Sequence, residues 1–134
     1  MEYQERTIQR VFSIRFASGD HIIENLEKLI KEKNIRAGTV ILLGAFSKGN
    51  LVLGFRRFSR APKDLNRTSF NDTQEVVGVG NISWMNDKPK VHLQAGVGKE
   101  REVFIAHVVE ADVTGAEAVI LEFSGPEFTG SVLV

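Results

Sequence analysis

Apolar residues fall into short alternating or continuous runs along the chain, interrupted once by a helical period. In "IQRVFSIRFA", residues 8–17, Ile8, Phe12, Ile14 and Phe16 share one parity, as in a strand with one buried face. "SGDHIIENLEKLIKEKN" changes period, and Ile22, Ile23, Leu26, Leu29 and Ile30 form a stripe at helical spacing. Asp20 is the expected N-cap, because its carboxylate can accept from the free amides of the first turn. Lys28, Lys31 and Lys33 gather toward the other end, where the helix dipole favours cations. "AGTVILLGAF" reads as a buried strand, turned at Lys48-Gly49-Asn50 into "LVLGFRRF" to make a hairpin.

Residues 58–73, "FSRAPKDLNRTSFNDT", hold Pro62, Asn66, Asn71 and Asp72 with little periodicity, and read as one long loop. Four strands are predicted after it: "EVVGVGNISW", "KVHLQAGV", "FIAHVVEADV" and "EAVILEF". "MNDKP" turns the first into the second, and "TGA" joins the last two. The tail "SGPEFTGSVLV" adds a short strand or packs across an edge. One helix followed by many strands predicts an α+β fold, with the helix packed on a largely antiparallel sheet. At 134 residues the chain suits a single domain spanning 1–134.

Composition narrows the function. Seventeen basic residues balance seventeen acidic ones, which argues against a protein that holds DNA mainly by neutralising phosphates. No window approaches the roughly 18 apolar residues of a membrane span, and "MEYQERTIQR" lacks the apolar core of a signal peptide. Without cysteine there is no disulfide and no thiolate metal site, which fits a cytoplasmic location.

Within "KVHLQAGVG", strand parity sends Val91, Leu93, Ala95 and Val97 one way and His92, Gln94 and Gly96 the other. The first set is core, and the second is a polar stripe that needs partners. His107 shares its parity with Ile105, Val109 and Ala111, as an ordinary buried histidine would, and His21 falls on the surface at the start of the helix. In "FRRFSRAPKDLNR", Arg56, Arg57, Arg60, Lys63 and Arg67 face one acid, Asp64. Such a stretch either follows a phosphate backbone or forms a solvated edge that resists wrong strand pairing. Catalytic motifs fail on inspection. "AGVGKE" has Leu93 where a phosphate loop needs glycine and Glu100 where it needs Ser or Thr. There is no Gly-x-Ser-x-Gly elbow, and Glu75, Glu102, Glu110 and Glu117 are too scattered to pair. The residues favour binding over catalysis.

"FASGDHIIENLEKLIKEKNIRAGTVILLGAF", "EVVGVGNISWMNDKPKVHLQAGVG" and "AHVVEADVTGAEAVILEF", in that order, resemble the PPC domain of plants and prokaryotes from about Ile8 to Phe123. The resemblance implies a free-standing homotrimeric binding module, accessory to transcription, whose partners are DNA or a transcription-related protein and not a membrane. The alternative is a trimer that binds a small molecule or metal near His92, Gln94 and His107. Many members read His-x-His where this chain has His92-Leu93-Gln94, and Gly-Gly-His where it has Ile105-Ala106-His107. Zinc wants three or four ligands, and a neutral amide suits it badly. His92 and His107 are therefore the metal candidates of a depleted site. No cofactor is expected, and zinc would be held weakly if at all.

Overall fold

The computed structural model describes residues 1–55 and 65–126. Its elements are β1 (Ile8–Phe16), α1 (Ile22–Lys33), β2 (Gly38–Phe55), β3 (Leu65–Phe70), β4 (Gln74–Met85), β5 (Lys88–Lys99) and β6 (Glu102–Phe123). Every strand pair is antiparallel, in the order β1-β6-β5-β4-β2-β3, and β6 also pairs with β2. Strands β2, β4, β5 and β6 therefore close into a ring, and β1 and β3 extend it. The α+β class with an antiparallel sheet is as the sequence predicts.

Two predicted turns are absent. Lys48-Gly49-Asn50 does not fold a hairpin but runs on through β2, opposite Asp112, Ala111 and Glu110 of β6. Thr114-Gly115-Ala116 likewise lies inside β6, with Gly115 opposite Ala45. Both stretches are paired across the same ladder, and a paired backbone needs no turn to satisfy its amides. Their glycine and polar residues serve register shifts instead, between Ala45 and Phe46, Phe46 and Lys48, and Asn50 and Leu51. Such bulges bend a strand and increase its twist. Part of the predicted long loop is strand β3, opposite Gly49–Phe55 of β2, while 56–64 and the tail from 127 lie outside the described residues. The "MNDKP" turn is present. Asn86 and Asp87 have φ of 51° and 61°, the left-handed pair of a two-residue hairpin turn.

Asp20 is not the N-cap. That position belongs to His21, whose side chain makes no capping bond. The Asp20 carboxylate instead accepts from the Ala17 amide at 2.8 Å, while the Asp20 carbonyl accepts from Val113 of β6 at 3.0 Å. Pairing to β6 displaces the helix start by one residue. At the far end Asn34 takes the left-handed conformation, φ 52°, and its amide reaches the Ile30 and Lys31 carbonyls.

Helix α1 packs on β5 and β6. Its Ile22, Leu26 and Ile30 are fully buried with Val40, Leu42, Leu93, Val97, Val108 and Ile120 of the sheet. Each such side chain contributes about 1.5–3 kcal/mol by leaving water. One carboxylate is enclosed at the margin of this core: Glu122, 5% exposed, accepts two bonds from Arg10 at 2.9 and 2.6 Å. Arg10 also donates to the Lys33 carbonyl at 2.8 Å, so a single guanidinium joins β1, β6 and the end of α1.

Gly44 of β2 leaves no room for a side chain against β6. Its φ is +146°, and a Cβ there would sit 2.4 Å from the Gly115 carbonyl oxygen. Gly44→Ala is expected to cost roughly 3 kcal/mol, since strain and backbone overlap act together. Gly19→Ala, at φ +91° with open space around it, should cost about 1 kcal/mol from strain alone. Urea unfolding of the two variants checks the difference.

Candidate functional site

Strand β5 alternates as the sequence predicts: Val91, Leu93, Ala95 and Val97 are buried in the core, and His92 and Gln94 point to the opposite face. On β6 the predicted parity of His107 breaks down. Asn50 pairs with Glu110 but Leu51 pairs with Val108, so a bulge lies between them. Ala111 consequently enters the core while His107 faces away from it with Ile105, flanked by buried Ala106 and Val108. Gln94 stands opposite His107 in register, which brings His92, Gln94 and His107 onto one face.

The two imidazoles are half-buried against each other, with ring centroids 4.9 Å apart and planes at 56°. His92 Nε2 and His107 Nδ1 are buried without a hydrogen-bond partner. Burial, reinforced by Lys90, lowers the His92 pKa below the ordinary 6.5. His107 is lowered first by burial, then by His92, Lys90 and Arg67. Desolvation and nearby positive charge thus both disfavour the protonated form of the two rings.

A divalent metal fits this arrangement poorly. Among the described residues no group of three His, Cys, Asp or Glu side chains converges, and the two charges acting on the pair from outside it are cations. Of the basic stretch, Arg67 lies exposed on β3, and Arg56, Arg57, Arg60 and Lys63 fall outside the described residues.

The histidine face carries a second feature, only half visible in the sequence. Pairing lines up Val119, Ile41, Val79, Gln94 and His107 in one row across β6, β2, β4, β5 and β6 again. The adjacent row is Glu117, Leu43, Val77, Gly96 and Ile105. Ile41, Leu43, Val77, Val79 and Ile105 are exposed by 45–71%, so the imidazoles border an open aliphatic surface. The signal for it was apolar residues at both parities of "TVILL" and "EVVGV".

A separate cavity lies elsewhere among the described residues. A cleft of about 580 Å³ opens between the start of α1 and the bulged centre of β2, lined by His21, Glu24, Glu27, Lys48, Asn50 and Asp112 among others. Its polar groups are mostly satisfied by near neighbours. Asp112 accepts from His21 and pairs with Lys48, Asn50 donates to Glu110, and Glu27 accepts from the Val91 amide. We place the candidate site at the imidazole pair, where hydrogen-bonding capacity is left over.

An antiparallel sheet closed through two long bent strands, with one helix against β5 and β6, defines the structural class. The profile of the Plants and Prokaryotes Conserved (PCC) domain matches residues 3–124, and the chain belongs to this family. The fold is similar to a metal-containing protein from Archaeoglobus fulgidus, at 25% identity and TM-score 0.83, covering 94% of this chain and 88% of that one. A plant- and prokaryote-conserved (PPC) protein from Pyrococcus horikoshii gives 22% and 0.82, covering 95% and 87%. A Bacteroides thetaiotaomicron protein, whose name proposes DNA binding, gives 23% and 0.74, covering 90% and 86%. No curated protein matches the chain.

Depressed histidine pKa values have a sign. Between the folded values and the unfolded value near 6.5, only the unfolded chain binds these protons, so acidification favours unfolding. The stability that neutral His92 and His107 contribute is complete above about pH 6.5 and declines below it, toward their folded values. Thermal unfolding at pH 7.5 and 5.5 should show a drop that the double variant His92→Gln/His107→Gln reduces. Asp72 and Asp112, whose pKa values lie below 3.8, do not titrate in this window.

Proposed function

We propose that the chain is a binding module working as a homotrimer, with the aliphatic face between copies and a small-molecule site at His92, Gln94 and His107 on its border. The observation that carries the assembly is the exposure of Ile41, Leu43, Val77, Val79 and Ile105 on adjacent rows of one face. A contiguous aliphatic patch of this kind is unusual on a lone soluble domain and marks a contact surface. Cyclic symmetry buries the same surface in every copy. The number three comes from the family resemblance.

Light scattering behind size exclusion should give three times the 14.9 kDa chain mass. Leu43→Asp should dissociate the assembly with the circular dichroism unchanged, because Leu43 is 56% exposed in the single chain. Ile120 is fully buried on the core side, so Ile120→Asp would unfold the chain rather than separate copies. A stable monomer at micromolar concentration rules the proposal out.

The second reading concerns metal. One similar structure is of a metal-containing protein, and two imidazoles of this chain lie 4.9 Å apart. With two nitrogen ligands and no third among the described residues, protein purified without chelator should carry well under one zinc per chain. Gln94→His, directly opposite His107, should raise zinc affinity by about tenfold or more, as read by competition with a chromogenic chelator. Stoichiometric, tightly held zinc in the wild type contradicts the depleted site.

Direct DNA contact, and with it a role accessory to transcription, has less support from the residues. The name of the Bacteroides protein favours it, and so does an exposed Arg67 at the end of a basic stretch. Net neutrality of the chain limits it to a few phosphates.

A further inference from the structure

We infer that the His92–Gln94–His107 group takes a small oxyanion, a phosphate- or carboxylate-bearing molecule, held by Lys90 and Arg67. The inference rests on reading this group as a ligand site and names the chemistry of its occupant.

The placement follows from register. Lys90 precedes His92 by two residues on β5, so the two share a face. Arg67 of β3 is opposite Val52 of β2, and Val52 is opposite His107 of β6. Directly opposed residues point the same way, so Arg67, Val52, His107 and Gln94 form one row. Two strand spacings, about 10 Å, separate the Arg67 and His107 backbones, a span that a long guanidinium side chain and a ligand share.

Among the described residues, the charges acting on the imidazoles have one sign: Lys90 acts on both and Arg67 on His107, and no carboxylate is among the causes. Neither cation has an ion-pair partner among the described residues. Two exposed, unpaired cations beside two imidazoles and an amide are donors in search of an acceptor. A divalent cation would meet the same two positive charges and too few ligands. The neutral amide of Gln94 opposite His107 and the presence of Lys90 and Arg67 point in the same direction.

The test follows the histidine ring resonances by NMR while inorganic phosphate is added at constant ionic strength. The chain has three histidines, and His21, paired with Asp112 in the separate cleft, serves as the internal reference. We expect saturable shifts of His92 and His107 with one phosphate per chain. The double variant Lys90→Gln/Arg67→Gln, at exposed positions, should weaken binding at least tenfold without changing the circular dichroism. Zinc is titrated in parallel. Stoichiometric zinc binding with no response to phosphate overturns the anion but leaves a ligand site standing. Silence toward both overturns the anion and the ligand site together. Phosphate shifts that survive in the double variant mean an adventitious ion only, and also overturn the inference.

Discussion

The pairing of β2 with β6 is the constraint on which the rest depends. It runs from Gly38 opposite Glu122 to Val52 opposite His107, and it is interrupted only by register shifts. Because both strands are long, each has room for two different partners on its outer edge. β6 takes β1 along Ala116–Phe123 and β5 along Glu102–His107, while β2 takes β4 along Thr39–Phe46 and β3 beyond Gly49. The ring closes because β5 pairs with β4 along one edge and with β6 along the other, at the level where β4 is paired to β2. Bulges make this possible by bending the ladder midway, and Gly44 lets the two backbones approach there.

The same constraint decides what could be read from the sequence. Short-range pattern sufficed for β1, α1, β4, β5 and the Asn86-Asp87 turn, where local preference and tertiary pairing agree. It failed at Lys48-Gly49-Asn50 and at Thr114-Gly115-Ala116, where turn-forming residues lie within a ladder paired on both sides of the bend. Glycine and asparagine signal a departure from regular strand, but whether that departure is a turn or a bulge depends on a partner some 65 residues away. The parity of His107 was lost for the same reason. One extra residue in β6 reverses the alternation, and no property of "FIAHVVEADV" alone reveals it. His92 and Gln94, on the regular part of β5, were legible from alternation.

Closing the sheet also separates two apolar surfaces with different fates. The core side is covered by α1, whose single stripe of Ile22, Leu26 and Ile30 matches it. No second helix is present among the described residues to cover the other side. Among the described residues no element covers the aliphatic side chains there, and their rows end at the imidazole pair. Any molecule or subunit that covers the aliphatic rows also changes the solvent around His92 and His107. Covering of this face and binding at the imidazole pair would therefore be coupled by proximity.

Electrostatics bear on which chemistry this face would favour. Burial alone makes an imidazole less ready to take a proton, and it leaves the neutral ring free to act as a metal ligand. A site built for a dication would add carboxylates or a third imidazole to offset the cost of enclosing it. Here the fold does the opposite: an amide opposes His107, and among the described residues the two charges acting from outside the pair are Lys90 and Arg67. Each departure taken singly is compatible with a weakened metal site. Together they surround the pair with positive charge among the described residues, and positive charge favours a bound anion over a bound cation.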